Sequence, residues 1–450
     1  MQQNEALVKS SVLKAMLYFA VPIFFAKLLQ VLYSAAGLFI LGNFSTTAEV
    51  AGASTASMIM SLVTLGLFGL TTGLMVVIGQ YCGAGSEKDA AGTIGTGIVF
   101  FTAFSVVVTA ILLVVADPVI RWMNTPASAV IPAKNYLMVS SIGVIFIVGY
   151  NVVGNICRGL GNSKAPLIFV AVACLINVGL NLLFIPVFGW GALGAALALI
   201  IAQGCSFFFS LIYLWKKGLG FKFTRHDIRF NTTYVKKLLK IGAPLSIQEM
   251  LVMLSFIFIA AVVNKMGETE SAAIGIVEKL VSFLMMPSLA ITAAVSTMSA
   301  HNFGANEYQR AKKCMWYGVF MSLALSFIFV ALCWLDGEFF TALFSKDANV
   351  IYQGSLYLKS YILDCFFVSF VFIMNGYFAS CNHSIFSMVH SLAATFLVRV
   401  PLTAFFAGRV GTTLFHMGLA APISSLGSVI ICLVFFRYLS KKQTQTLTSQ

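Results

Sequence analysis

The chain has 450 residues, of which 59% are hydrophobic and only 10% are charged, and its formal net charge is +13 at pH 7. A water-soluble fold of this length could not bury so much apolar surface, so the composition excludes an ordinary soluble protein and indicates that the bilayer is the solvent. The basic residues are spread over many loops, which argues against a nucleic-acid partner.

Long apolar runs separated by short polar breaks dominate the sequence. Each run is close to or longer than the ~20 residues that an α-helix needs to cross the hydrocarbon core. The runs lack the period-two alternation of membrane β-barrels, so we predict an all-α integral membrane protein. The twelve predicted transmembrane helices cover residues 12–41, 50–79, 90–116, 134–157, 165–187, 191–215, 240–265, 271–300, 311–335, 352–380, 385–408 and 414–439.

The sequence repeats itself once. The segment that begins at Gly79 is similar to the segment that begins at Ala300, and each is a polar break after an apolar run. Pro22 and Pro244 occupy equivalent positions in the two copies. Duplication predicts two six-helix lobes around a central cavity that lies between them. Because each lobe holds an even number of helices, the repeat is parallel, with its axis near the membrane normal.

The Lys and Arg residues predict the orientation in the membrane. With the N-terminus in the cytoplasm, 19 of them fall on the inner side and six on the outer side. This asymmetry follows the positive-inside rule, so we expect both termini of a multi-pass protein to be cytoplasmic. The predicted domains are a first lobe at 1–215, a basic cytoplasmic linker at 216–239, which anionic lipid would attract, and a second lobe at 240–450.

Three motifs resemble those of a known family. They are R-G-L-G-N-S-K-A-P at 158–166, N-V-G-L-N at 177–181 and G-W-G-A-L-G-A-A at 189–196. They are similar to the loop after the fourth helix, the fifth helix and the sixth helix of MATE (multidrug and toxic compound extrusion) transporters, and Gln248-Glu249 after Pro244 resembles the bacterial MepA-like subgroup. The resemblance implies efflux of an amphiphilic small molecule from a bacterial cell by antiport of H⁺ or Na⁺, with alternating access of two lobes.

Two positions depart from the pattern of that family. Many bacterial relatives carry an Asp at the position of Gly37 and another at the position of Asn181. Neither Gly nor Asn titrates, so the first lobe of this chain cannot use those carboxylates for ion coupling. Whether that lobe takes part in coupling by other means stays open.

Acidic residues within the predicted helices lie only in the second lobe, and they are Glu249, Glu278 and Asp364. A charge at the bilayer centre costs roughly 2.5–3.5 kcal/mol on insertion scales, so such residues usually face a partner or a water-filled cavity. In one branch of the family, acids on the seventh and tenth helices form a cation site, and Glu249 and Asp364 lie about one turn from those positions. We predict these three residues as the cation-coupling groups, with Na⁺ an alternative to H⁺ at Glu249 and Asp364; the competing interpretation is that they form structural ion pairs.

The repeat also pairs two opposite charges. Lys27 follows Pro22 by the same interval at which Glu249 follows Pro244. If both lie near the axis, a Lys27–Glu249 bridge could latch the lobes and open when Glu249 is protonated. Alternatively, Lys27 snorkels to the membrane surface. Lys279 and Arg399 are expected to have an architectural role, with Glu278 or with a helix C-terminus, rather than to contact the substrate.

Adaptable apolar and amide side chains are predicted to line the substrate cavity. The predicted substrate-binding residues are Tyr33, Asn181, Gln248, Met253, Met285 and Phe367. The five His residues are scattered and no phosphate-binding loop is present, so we predict no enzyme, no cofactor and no metal cluster. The expected partners are the solute and membrane lipid, and the protein is predicted to be a monomer. The alternative function is a flippase of lipid or lipid-linked oligosaccharide from a related superfamily.

Overall fold

The computed structural model describes residues 11–409, 411 and 413–448. All regular secondary structure in this part of the chain is helical, as predicted. Lys9 lies outside these residues, and so does the side chain of Lys442. The first repeat forms α1 (Val12–Phe44), α2 (Thr47–Gly83), α3 (Glu87–Trp122), α4 (Ala127–Ile142), α5 (Val144–Gly159), α6 (Lys164–Phe184) and α7 (Gly191–Lys217).

The second repeat follows a short 3₁₀ turn at Arg225–Asp227. It forms α8 (Thr232–Val263), α9 (Glu268–Leu284), α10 (Met286–Gly304), α11 (Tyr308–Leu335), α12 (Gly337–Ala342), α13 (Ala348–Tyr361), α14 (Leu363–Ser380), α15 (Ser384–Ala393), a π turn (Ala394–Arg399), α16 (Val400–Ala407), α17 (Leu414–Gly418) and α18 (Ala420–Thr448). Within the described ranges, ten helices are long and apolar enough to cross a membrane, and the bent pairs α4–α5 and α9–α10 add one span each. The prediction of twelve membrane-spanning segments is therefore confirmed.

Four segments that were predicted as continuous helices are broken, one of them being 414–439, which is interrupted at Leu419 between α17 and α18. The segment 134–157 bends by 49° between α4 and α5, at Gly143, and 271–300 bends by 41° between α9 and α10. Pro287 lies in the first turn of α10, where it removes a backbone donor and blocks the hydrogen bond of the preceding turn. The segment 352–380 is interrupted at Ile362, between α13 and α14.

The described residues form two compact units. The first contains Val21–Ser246, and the second contains the chain from Ile247 onward together with residues 11–20. Both changes of unit fall inside a helix, near Pro22 of α1 and Pro244 of α8, which are the paired prolines of the repeat. The predicted functional boundaries at residues 215 and 240 stay predictions.

The first unit packs α2 tightly against the N-terminal part of α8. A Cβ atom added to Gly73 would lie 2.7 Å from the backbone N of Gly242, and one added to Gly69 would meet the backbone of Leu245 and Ser246. The Ser246 hydroxyl donates to the Gly66 carbonyl at 2.5 Å. Small residues permit this close approach of two helix backbones, as is typical of packing within lipid.

The segment after α7 is folded onto the first unit. Leu219, Phe221 and Phe223 pack half-buried against its apolar core. The Thr96 hydroxyl donates to the Arg229 carbonyl at 3.0 Å, and the Tyr234 hydroxyl donates to the Asp89 carboxylate at 2.8 Å. The predicted linker is therefore anchored on α3 at several points.

The second unit contains a buried network of four serines from α10, α11 and α14. Ser322 donates to Ser288, and Ser369 exchanges hydrogen bonds with both Ser288 and Ser326, each at 2.8 Å. All four side chains are almost fully buried. In lipid the hydrophobic effect does not drive helices together, because lipid tails are as apolar as the helix surfaces. Interhelical hydrogen bonds such as these therefore stabilise the helix packing.

Replacing Ser369 with alanine is expected to lower the free energy of unfolding by about 1 kcal/mol, because two interhelical hydrogen bonds are lost. Thermal unfolding of purified protein in detergent measures this change. Ser61 is the matched control, since its exposed hydroxyl bonds only to the Ser57 carbonyl of its own helix. Equal melting temperatures for Ser369→Ala and Ser61→Ala would contradict a stabilising role of the network.

Candidate functional site

Asp364 lies in the first turn of α14, directly after the break that separates this helix from α13. Its side chain is only 4% exposed. The Ser425 hydroxyl donates to the carboxylate, whereas Oδ1 has no hydrogen-bond partner among the described residues. A helix N-terminus stabilises negative charge, so the break gives this carboxylate a favourable backbone environment within the membrane region.

Arg399 supplies the positive charge nearby. It ends the π turn of the eleventh span, and its Nη2 donates to the Tyr361 hydroxyl at 3.0 Å. The guanidinium carbon lies 4.4 Å from the centroid of the Phe256 ring, which is cation–π geometry. Single π turns within α-helices are rare and occur frequently at functional sites.

The guanidinium interacts electrostatically with two carboxylates, those of Asp364 and Glu278. Glu278 extends from α9 and is half-buried. With both acids ionised, one positive charge faces two negative charges, and the cluster carries a net charge of −1. Because the effective dielectric constant is low away from water, an uncompensated charge here interacts strongly with any cation that reaches it.

Two tyrosine side chains lie next to these charged groups. The rings of Tyr357 and Tyr361 are stacked with centroids 5.1 Å apart, and both side chains are buried. Their phenol groups supply polar atoms without adding a charge at neutral pH. The cluster of Glu278, Tyr357, Tyr361, Asp364 and Arg399 therefore combines side chains from α9, α13, α14 and the π turn.

The other residues predicted in the second unit have varied environments. Gln248 is buried, and its side-chain oxygen has no hydrogen-bond partner among the described residues. Glu249 and Met253 follow on α8, four residues apart and hence on one helix face, and both are half-buried. Met285 lies at the bend between α9 and α10, where it packs against the apolar core, and Phe367 lies half-buried on α14.

Asp364 and Glu278 both interact electrostatically with the same cation, Arg399. Within the described part of the chain, the hydrogen-bond and charge partners of Asp364 are Ser425 and Arg399. A Na⁺ site shared by Glu249 and Asp364 stays a prediction. The expected pairing of Arg399 with Glu278 matches their electrostatic interaction, although Arg399 interacts with Asp364 as well.

The first unit holds a polar cluster without carboxylates. Asn181 is buried and donates to the Asn177 side chain at 3.0 Å. A Cβ atom added to Gly37 would lie 3.5 Å from Nδ2 of Asn181, so the two positions that carry Asp in many relatives face each other here as Gly and Asn. Nearby in the same unit, Gln203 donates to the buried Tyr33 hydroxyl at 3.3 Å. The oxygens of Asn181 and Gln203 have no hydrogen-bond partner among the described residues.

Lys27 lies half-buried on α1, and its Nζ is 5.5 Å from the centroid of the Phe68 ring. It belongs to the first unit, whereas Glu249 belongs to the second. The predicted latch between these two residues stays a prediction.

Sequence reasoning missed several polar partners of the predicted site residues. Tyr361, Ser425 and Gln203 contact predicted residues across helices, and a single sequence contains no signal for such contacts. Tyr361 alone had a local signal, because it precedes Asp364 by three residues, the spacing that puts two side chains on one helix face. The π turn that places Arg399 had none.

Comparison with known proteins identifies the family. The MatE family model matches residues 22–183 and 244–405, and its second copy begins and ends 222 residues after the first. The probable multidrug resistance protein YpnP of Bacillus subtilis (strain 168) is 28% identical over 431 residues, which cover 96% of both chains. The multidrug export protein MepA of Staphylococcus aureus (strain N315) is 24% identical over 358 residues, which cover 78% of both chains.

Solved structures share the fold. An outward-facing multidrug resistance MATE family transporter of the MOP superfamily superposes with a TM-score of 0.93 at 18% identity, over 98% of this chain and 99% of that one. A MOP superfamily transporter from Pyrococcus furiosus, described as having a binding pocket of reverse polarity, gives a TM-score of 0.92 at 19% identity over 99% of both chains. Since the family model covers most of the sequence in two copies, one per repeat, the chain belongs to the MatE family.

Proposed function

We propose that this protein exports amphiphilic small molecules across a bacterial plasma membrane in exchange for H⁺ or Na⁺, with its two lobes giving alternating access to the substrate. Family membership and the names of relatives such as YpnP and MepA support multidrug efflux. The buried Asp364 beside Arg399 and Glu278 is the observation that carries ion coupling. Both termini are proposed to lie in the cytoplasm, as the positive-inside rule predicts.

The charged cluster of the second unit can exchange a cation for substrate. With Asp364 and Glu278 both ionised, Arg399 compensates only one of them. Taking up a proton or a sodium ion neutralises the remaining charge and removes the free-energy cost of keeping it away from water. A cationic substrate competes for the same negative charge, so that substrate and coupling ion bind alternately.

The first unit contributes recognition without titration. Its cluster of Tyr33, Asn177, Asn181 and Gln203 offers hydroxyl and amide groups, and the unpaired oxygens of Asn181 and Gln203 can each accept a hydrogen bond from a ligand. Met253, Met285 and Phe367 would supply adaptable apolar surface in the second unit. Specificity would then depend on polar groups in one unit and on charge in the other.

Glu249 is proposed as a further titrating group. If the predicted latch with Lys27 forms, protonation of Glu249 removes its charge and releases the bridge. This event would link the arrival of the coupling ion to the change of access.

Transport by purified protein in liposomes tests the function. We expect a fluorescent organic cation to move against its gradient when ΔpH or a Na⁺ gradient is imposed separately, and Glu249→Gln to abolish that movement. Empty liposomes and dissipation of each gradient with an ionophore are the controls. Activity that depends on neither gradient would refute ion-coupled efflux and favour the lipid flippase, which a fluorescent-lipid translocation assay on the same liposomes would detect.

A further inference from the structure

The first unit contains an apolar cleft whose lining shares no residue with the polar and charged clusters described above. The cleft has a volume of about 530 Å³ and is bordered by α3, α5, α7 and the segment after α7. Its lining is dominated by aliphatic and aromatic side chains, with Thr102 and Ser105 as its hydroxyl groups. Pockets of this size bind small molecules or single chains of larger ones.

The length of the cleft matches one leaflet of a bilayer. Along α3 its lining runs from Ile94 to Ser105, which corresponds to about 16 Å of helix. Half of the hydrocarbon core is about 15 Å thick. Trp215 lines the cleft at the end of α7 and is 83% exposed, as befits an aromatic residue at the level of the lipid headgroups.

Basic residues adjoin in sequence the residues that line one end of the cleft, its mouth, where α7 ends. Lys216 follows Trp215, and Lys222 lies between Phe221 and Phe223, both of which line the cleft. Lys216 and Lys222 are exposed, whereas the two phenylalanines are half-buried, which places the rings inward and the lysine outward. The segment 216–229 contains five basic residues and one acid, Asp227.

Asp227 is held by hydrogen bonds within its own turn, and it also interacts electrostatically with Arg229. Its carboxylate accepts hydrogen bonds from the Thr224 backbone N–H at 2.7 Å and from the Thr224 hydroxyl at 2.9 Å. These bonds hold the pKa of Asp227 below its usual range and fix the carboxylate within the 3₁₀ turn. Even with Asp227 ionised, the segment 216–229 keeps a net positive charge, because it contains five basic residues and one acid.

We propose that this cleft binds one anionic phospholipid, with an acyl chain between α3, α5 and α7 and the phosphate headgroup at Lys216 and Lys222. An apolar channel one leaflet deep fits the chain, and the exposed lysines at its mouth fit the negative headgroup. Bound lipid would also cover Phe221 and Phe223 and hold the segment after α7 on the first unit.

Lipid binding to the full-length protein in detergent tests the proposal. Delipidated protein is titrated with phosphatidylglycerol or with phosphatidylcholine of the same acyl chains, and bound lipid is counted by native mass spectrometry. Phosphatidylglycerol is expected to bind more tightly than phosphatidylcholine. Removing both lysines as Lys216→Gln/Lys222→Gln should weaken phosphatidylglycerol binding by about fivefold per lysine and leave phosphatidylcholine unchanged. The exposed lysines Lys88 and Lys313 give the control double variant, which should bind as the wild type does.

A second pair of variants tests the acyl-chain channel. Thr102→Trp places an indole in the cleft and should weaken binding of both lipids by about tenfold or more, since losing the burial of two methylene groups already has that effect. Ala103→Trp is the control, because Ala103 is also exposed on the same helix but does not line the cleft. The proposal would be overturned if Thr102→Trp bound phosphatidylglycerol as the wild type does, or if both Trp variants lost binding equally. It would also be overturned if the preference for phosphatidylglycerol survived the loss of Lys216 and Lys222. Loss of binding of the fluorescent cation by Thr102→Trp, with lipid binding unchanged, would instead assign the cleft to substrate.

Discussion

Replacing Asp364 with asparagine is expected to abolish ion-driven transport while the protein remains folded. Asparagine keeps the size of the side chain and can still accept a hydrogen bond from Ser425, but it cannot bind a proton or hold a negative charge. Arg399 would then face Glu278 alone, so the cluster would be neutral without any coupling ion. We expect efflux in proteoliposomes to fall by at least about tenfold, because the coupling ion has lost a charge–charge attraction of a few kcal/mol in a poorly solvated site.

The control is Asp117→Asn. Asp117 forms an exposed ion pair with Lys134 at 2.8 Å, with the two side chains 53% and 41% exposed. Such surface pairs contribute little to stability, so this variant should transport and unfold as the wild type does. Wild-type efflux by Asp364→Asn under both gradients would exclude Asp364 from coupling, and loss of folded protein would instead assign it a structural role.

Most of the architecture could be predicted because it depends on patterns within the chain. Apolar runs and polar breaks fixed the number of spans, and the interval between Pro22 and Pro244 fixed the repeat. The breaks at Gly143 and Ile362 could not be located. Each sits within an apolar run whose composition suits a continuous helix, and the bend depends on packing with other helices, such as the approach of Ile200 to Gly143.

The candidate site was predictable as a set of residue types but not as a set of partners. Glu278, Asp364 and Arg399 could be recognised because a charged side chain within the membrane carries a free-energy cost and is therefore rare there. The pairing of these carboxylates with Arg399 depends on the π turn that ends at Arg399 and on the helix break before Asp364. Neither the π turn nor the break has a local sequence signature. The prediction for the first unit needed the family resemblance together with the identities of Gly37 and Asn181, since Gly and Asn cannot titrate where many relatives carry Asp.

The two units therefore differ in chemistry although they share a fold. Gly37 and Asn181 face each other without a charge, whereas Asp364 and Arg399 hold opposite charges near each other. A duplicated scaffold permits this division, because the side chains of one copy can differ from those of the other while the fold is kept. This asymmetry is the reason that we propose the carboxylates of the second unit as the ion-coupling groups.

The crossing of α2 and α8 should be the part of the first unit most sensitive to a single added methyl group. In Gly69→Ala the new Cβ would lie 2.6 Å from the carbonyl carbon of Leu245, and backbone atoms cannot rotate away as a flexible side chain can. The two helices must separate, which would strain the hydrogen bond between Ser246 and Gly66. We expect the free energy of unfolding to fall by about 1–3 kcal/mol, the usual range for overpacking.

Gly179→Ala makes the same chemical change where space is available, since a Cβ at this position of α6 has no neighbour within 4 Å. Alanine is the better helix former, so this variant should unfold at or above the wild-type temperature, with a gain of up to about 1 kcal/mol. Thermal unfolding of both variants in one detergent therefore separates the effect of packing from that of helix propensity. If the two alanines shift the melting temperature equally, the close approach at Gly69 does not limit stability, and the tight α2–α8 crossing can no longer explain how the start of α8 is held in the first unit.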